Sequence, residues 1–182
     1  MGKRKNDVRP LNKEKVSKKL EKPQNLMEIG NSNKTLKSYC GKGLQVIKSG
    51  YRSKFIFPDT RKISASIDFD EALKETFSKE NRWDYGIEYD QNLIFAEVHP
   101  AQTSEIDCMI KKVQSIKGWI NDNCKELLKL PKFEKGERQF YWVASGGNGI
   151  LPNSRQAKRL AVVHICPVGS IFDYAKIIKV QS

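Results

Sequence analysis

The stretch that decides the fold of this chain reads Trp83-Asp-Tyr-Gly-Ile-Glu-Tyr-Asp-Gln-Asn-Leu-Ile-Phe-Ala-Glu-Val-His-Pro-Ala101. In its first half, aromatic and aliphatic residues alternate with small or acidic ones, which is the period of a half-buried β-strand. Residues 90–92 are turn-forming. An apolar run follows over residues 93–98 and is interrupted only by Glu97, which is typical of a central strand. The stretch therefore predicts a β-hairpin.

The hydrophobic pattern sets the register of this hairpin. A two-residue turn at Asp90 and Gln91 gives one continuous apolar face. The cross-strand pairs on that face are Trp83–Val98, Tyr85–Ala96 and Ile87–Ile94. On the other face, the same register places Asp84 opposite Glu97, with His99 next along. A shift by one residue would place Glu97 among aromatic side chains, so the apolar pattern itself brings two carboxylates together.

Two carboxylates in this arrangement need a partner of positive charge. Directly opposed strand residues have their Cβ atoms about 5 Å apart. Carboxylates that close repel, unless one is protonated or a cation lies between them. A hard divalent metal with oxygen ligands relieves the repulsion. The pair Asp84 and Glu97 is therefore predicted to bind a metal, and the alternative is a salt bridge to the adjacent Arg82.

At these positions the chain resembles a known family. Asp84 and the triplet Glu97-Val98-His99 resemble the signature of the PD-(D/E)XK nuclease superfamily, an Asp at the head of one strand and Glu-x-Lys on its partner. The resemblance covers residues 67–168, where a helix, the hairpin, a long helix, a buried strand, a short helix and a last strand follow in order. It implies an α/β fold with a restriction-endonuclease-like mixed central sheet flanked by helices. His99 stands where the family has Lys.

The resemblance also implies phosphodiester hydrolysis. Mg²⁺ or Mn²⁺ would lie between Asp84 and Glu97, polarise the scissile phosphate and lower the pKa of a bound water. His99 would orient that water, accept its proton or bind the metal, since imidazole titrates near neutral pH. Two lysines of the following helix are candidates for the missing family lysine: Lys117, near the centre of the apolar face, and Lys112, on its flank.

The excess positive charge is confined to the first third of the chain. The 182 residues have a net charge of +12, and residues 1–62, with 17 Lys/Arg and 5 Asp/Glu, account for all of it. This pattern predicts a basic, largely disordered arm at residues 1–37 and a single domain at residues 38–182. A basic arm is typical of nucleic-acid-binding proteins, and the alternative is a solubilising tail.

Further basic residues lie on two predicted elements of the domain. Residues 43–57 predict a β-hairpin with a turn at Ser49-Gly50, and residues 153–162 predict a short helix. The side chains predicted to contact nucleic acid are Lys42, Lys48, Arg52, Lys54, Arg155, Lys158 and Arg159. For the hairpin, charges that protect a sheet edge are the alternative. Residues 171–180 predict an edge strand.

Together these features predict a Mg²⁺-dependent nuclease acting on DNA. The alternatives are a non-catalytic nucleic-acid-binding module on a degenerate nuclease fold and an interaction protein with a solubilising tail. No apolar run approaches the roughly 20 residues of a membrane span, and no secretory signal is recognised, so we expect no membrane association. The widely spaced cysteines argue against a zinc site and predict a reduced, cytoplasmic protein. Double-strand cleavage by so small a chain favours a homodimer.

Overall fold

The computed structural model describes residues 24–131 and 140–181, and these residues form a mixed β-sheet with helices. The strands are β1 (Cys40–Lys42), β2 (Phe55–Ile56), β3 (Ile63–Asp68), β4 (Tyr85–Tyr89), β5 (Asn92–Ala101), β6 (Phe140–Asn148), β7 (Ile165–Val168) and β8 (Phe172–Asp173). Six of them make the central sheet in the order β1-β3-β4-β5-β6-β7, while β2 and β8 pair separately.

The direction of the strands divides the sheet into two halves. Strands β1, β3, β4 and β5 pair antiparallel, whereas β5, β6 and β7 are parallel. The α-helices are α1 (Leu26–Ser32), α2 (Ser49–Arg52), α3 (Phe69–Ala72), α4 (Ile106–Asn123), α5 (Arg155–Val162) and α6 (Tyr174–Gln181). Helices α4 and α5 connect the parallel strands, as parallel pairing requires a crossover. The predicted α/β class with a mixed central sheet is confirmed. In the residues described, no helix combines the length and the apolar character needed to cross a bilayer.

The central hairpin forms in the predicted register. The paired residues of β4 and β5 are Tyr85–Ala96, Gly86–Phe95, Ile87–Ile94, Glu88–Leu93 and Tyr89–Asn92. Asp90 and Gln91 form the turn with φ values of 48° and 68°. This left-handed conformation is the one that two-residue hairpin turns favour, because it matches the twist of the flanking strands. The turn and the alternating pattern therefore agree on one register.

The sheet separates two apolar cores. The core on the α4 face includes Phe95, Val113 and Trp142, and the core on the opposite face includes Tyr85 and Phe172. Because side chains alternate along β5, Glu97 projects to the α4 face, two residues beyond Phe95. The fold thus places a carboxylate inside a largely apolar layer.

The predicted pairing of Trp83 with Val98 is wrong, because the two side chains lie in opposite cores. Strand β4 begins only at Tyr85, so the alternation does not extend back to Trp83. The carbonyl of Asp84 instead accepts a hydrogen bond from the backbone N–H of Phe69 at 2.8 Å. Trp83 turns into the α4-side core, where its ring lies 5.3 Å from that of Phe140.

Part of the predicted disordered arm belongs to the folded domain. Helix α1 begins with a capping box between Asn25 and Glu28. Leu26 and Ile29 are buried, and the backbone N–H of Leu26 donates to the buried carboxylate of Glu88 at 3.1 Å. The predicted boundary at residue 37 is therefore wrong for residues 24–37. This segment has too few apolar residues to show a periodic pattern, so its long-range contacts could not be seen in the sequence. Residues 1–23 lie outside the described part.

Two other predicted elements are wrong. Residues 43–57 form no hairpin; they form a loop, the short helix α2 and strand β2, which pairs in parallel with β8. The guanidinium of Arg52 holds that loop through the carbonyls of Gln45 (2.7 Å) and Ile47 (2.9 Å). Residues 171–180 are not an edge strand, since β8 has two residues and α6 follows it directly.

Candidate functional site

The hairpin brings Asp84 and Glu97 together, as its register predicts. The backbone N–H of Asp84 donates to Oε2 of Glu97 at 3.0 Å. In return, Oδ2 of Asp84 accepts a hydrogen bond from the backbone N–H of Val98 at 2.8 Å. These reciprocal bonds run between the head of β4 and the middle of β5, so the strand pairing itself orients both carboxylates.

Helix α4 adds Lys112 to this pair. The Nζ atom of Lys112 donates to Oε1 of Glu97, and the two side chains are only 8% and 1% exposed. Both oxygens of Glu97 therefore have a hydrogen-bond partner. A buried carboxylate is costly unless it is paired and hydrogen-bonded. Of the two helix lysines considered from the sequence, Lys112 is the one that reaches the acidic site.

Burial and mutual charge shift the pKa values of Glu97, Asp84 and Lys112. Burial raises the pKa of Glu97, and the charge of Asp84 raises it further, while Lys112 opposes both effects. Burial likewise raises the pKa of Asp84, against the hydrogen bond from Val98 and the charge of Lys112. Burial alone would lower the pKa of Lys112, but the charge and the hydrogen bond of Glu97, together with the charge of Asp84, outweigh it and the net change is upward. The site is therefore an acidic pair that a cation stabilises.

A second charged network adjoins Asp84. The backbone N–H of Asp70 donates to the carbonyl of Asp84 at 3.3 Å, which places the two residues side by side. The carboxylate of Asp70 accepts from Nε of Arg82 at 2.9 Å and from Nζ of Lys48 at 3.5 Å. Arg82 therefore pairs with Asp70 and not with Asp84. Asp70 was not predicted as a site residue; the only sequence signal is its position two residues after the acidic helix cap at Asp68.

His99 and Lys117 are not joined to the acidic pair. In the described structure, no hydrogen bond links the ring of His99 to Asp84, Glu97 or Lys112. Its Nδ1 atom lies 3.1 Å from the carbonyl oxygen of Pro100 instead. Lys117 is exposed, and its Nζ lies 5.1 Å from the centre of the Phe140 ring.

The basic residues predicted to contact nucleic acid have different surroundings. Lys42, Arg155 and Lys158 are exposed, and Lys54 is half-buried. Arg52 is used internally, since its guanidinium holds the loop before α2. Arg159 forms an ion pair with Asp107 of α4. Lys48 lies at the acidic site, as described above.

Whether the acidic pair suits a metal depends on its donors. No set of three or more His, Cys, Asp or Glu side chains in residues 24–131 and 140–181 is arranged to hold a metal ion. Proteins commonly bind Mg²⁺ through one or two carboxylates, with waters and substrate phosphates as the other ligands. Each carboxylate oxygen can accept more than one bond. Asp84 and Glu97 supply two carboxylates, so a metal ion at this pair would need waters or substrate oxygens for its remaining ligands.

Asp68 predicts how stability depends on pH near the site. Burial raises the pKa of Asp68 to about 6, although the N–H of Glu71 donates to its carboxylate. The native state then holds a proton that the unfolded state has lost, so stability falls as pH rises from about 4 to about 6. Asp68→Asn keeps the helix cap and should be roughly 1 kcal/mol more stable than the wild type at pH 7.5. Urea unfolding between pH 4 and 8 measures this, and parallel pH profiles for the two proteins would contradict it.

No protein-family model, no curated protein and no solved structure matches this chain.

Proposed function

We propose that this chain is a metal-dependent nuclease that hydrolyses DNA phosphodiesters at the Asp84–Glu97 pair. The observation that carries the proposal is the meeting of Asp84, just before β4, with Glu97 of β5 and Lys112 of α4. Two adjacent carboxylates and a lysine are what the PD-(D/E)XK resemblance implies. An antiparallel hairpin that continues into parallel strands through α4 and α5 is compatible with a restriction-endonuclease-like fold.

In this proposal Lys112 takes the role of the family lysine, in place of His99. An ammonium group has three N–H donors, and Glu97 accepts from one of them. The other two would donate to an oxygen of the scissile phosphate, where negative charge grows in the transition state. Glu97 holds Lys112 in place, and the Val98 N–H holds Asp84. Bound Mg²⁺ or Mn²⁺ would supply Lewis acidity and a more acidic water.

Cleavage assays test the proposal. We expect the wild type to cleave plasmid, single-stranded DNA or RNA with Mg²⁺ or Mn²⁺ and to be inactive in EDTA. Glu97→Gln should lose this activity, because it removes the charge that faces both the metal position and Lys112. Asp90→Asn is the matched control: it removes a carboxylate at the exposed turn of the same hairpin, where Asn tolerates the positive φ. Inactivity of the wild type on every substrate, or equal rates for Glu97→Gln and Asp90→Asn, would refute the proposal.

A non-catalytic nucleic-acid-binding module is the second candidate function. It is favoured by the buried pair of Lys112 and Glu97, in which an internal cation already neutralises the carboxylate. This candidate predicts binding that weakens with salt, is independent of metal and survives Glu97→Gln. Gel shifts over a KCl series, run beside the cleavage assay, separate it from the nuclease.

A further inference from the structure

Lys48 approaches the acidic site from the face of the sheet opposite Lys112. Its neighbour Ile47 is buried in the core that contains Tyr85, whereas Lys112 lies on α4. The backbone N–H of Lys48 lies 3.5 Å from the hydroxyl of Tyr85, the first residue of β4. The guanidinium of Arg52 braces the preceding loop. This bracing fixes the backbone of Lys48 beside the head of β4.

The ammonium group of Lys48 contacts Asp70, which lies beside Asp84. Its Nζ atom lies 3.5 Å from Oδ2 of Asp70, and the backbone N–H of Asp70 donates to the carbonyl of Asp84 at 3.3 Å. Asp70 does not depend on Lys48 for a counter-ion, because Nε of Arg82 contacts it at 2.9 Å and is itself largely buried. Lys48, in contrast, is 53% exposed. Its ammonium can therefore leave Asp70 without stranding a buried charge.

We propose that Lys48 is a phosphate-binding residue of this site, contacting a nucleic-acid phosphate next to the one held at Asp84. The inference rests on the proposed function and adds Lys48 to Lys112 as a second lysine that contacts phosphate. An exposed lysine–aspartate pair contributes little to folding stability, so stability alone does not account for a loop braced by Arg52 and Tyr85. Lys48 and Lys112 would then contact the nucleic-acid backbone from the two faces of the sheet.

The test measures binding without cleavage. Fluorescence anisotropy of labelled single-stranded and duplex DNA is recorded in EDTA over a KCl series, for the wild type, Lys48→Ala, Lys48→Arg and Lys62→Ala. Lys62 is the matched control, because it is 48% exposed and pairs with Asp90 at 2.9 Å, by the hairpin turn. Its replacement removes the same charge from a similar ion pair away from the site.

We expect Lys48→Ala to weaken binding about fivefold near 0.1 M KCl and to reduce the slope of log K against log salt by about 0.9, the value of one lost phosphate contact. Lys48→Arg should restore most of the affinity and the slope, and Lys62→Ala should change neither. If the wild type binds DNA and Lys48→Ala has the same affinity and salt slope as Lys62→Ala, the proposed role of Lys48 is overturned and the proposed function is not affected. A wild type that binds no DNA in EDTA overturns this inference, whereas the proposed function is decided by cleavage in the presence of Mg²⁺ or Mn²⁺.

Discussion

Replacing Lys112 with Met is expected to lower the free energy of unfolding by about 3 kcal/mol at pH 8, because it leaves the buried Glu97 without its cation. Methionine fills a similar volume, so the apolar packing of α4 is largely kept. Urea denaturation followed by circular dichroism measures the change. Cleavage should be lost as well, since the same ammonium group is proposed to contact the phosphate.

A second substitution separates the two roles of Lys112. Adding Glu97→Gln to Lys112→Met removes the uncompensated charge, so the double variant should recover most of the lost stability while remaining inactive. In the single variant the pKa of Glu97 rises further, because the opposing charge of Lys112 is gone. The native state then binds a proton that the unfolded state does not, and the deficit should shrink as pH falls toward 4. A deficit that persists in the double variant would assign the loss to packing.

The central hairpin and its carboxylate pair could be predicted because they depend on local information. The alternating pattern sets the faces of β4 and β5, and the turn residues Asp90 and Gln91 accept positive φ values. These two constraints select one register, and that register alone places Asp84 near Glu97. The prediction for Trp83 was wrong because side chains alternate only within a strand, and β4 begins two residues later, at Tyr85.

The choice between Lys112 and Lys117 could not be made from the helical pattern. The two residues are about 140° apart around a helix, so at most one of them can face Glu97. Which one does so depends on how α4 is rotated and placed against the sheet. The packing of Met109, Val113 and Ile116 in the core sets that rotation. Periodicity identifies an apolar face but not the position of a buried cation at its margin.

The remaining errors concern contacts between distant parts of the chain. Helix α1 is held by a hydrogen bond from Leu26 to Glu88, 62 residues away. Strand β2 exists because it pairs with β8, near the other end of the sequence. The network of Asp70, Arg82 and Lys48 likewise joins three separate segments. Such contacts leave no periodic signal, since each depends on the completed fold.

Asp84→Asn is expected to reduce cleavage by more than about 100-fold. Loss of a residue that only supports a metal ligand costs up to about 100-fold, and Asp84 is proposed to be a ligand itself. The same substitution should raise the free energy of unfolding at pH 8 by roughly 1 kcal/mol. The amide oxygen of Asn can still accept the hydrogen bond from Val98, while the charge beside the buried Glu97 disappears. Cleavage rates and urea unfolding are measured on the same preparations, with Asp90→Asn as the control.

The two readouts of Asp84→Asn give distinct answers. Loss of cleavage with a gain in stability means that the charge of Asp84 lowers the free energy of unfolding but is needed for activity, which is typical of a functional carboxylate. Unchanged cleavage would exclude Asp84 as a metal ligand. A loss of stability would mean that the charge is needed to balance Lys112 and Lys48, whose fields both act on Asp84. In that case the acidic site would be a structural ion network, and the non-catalytic module would be the better account of the chain.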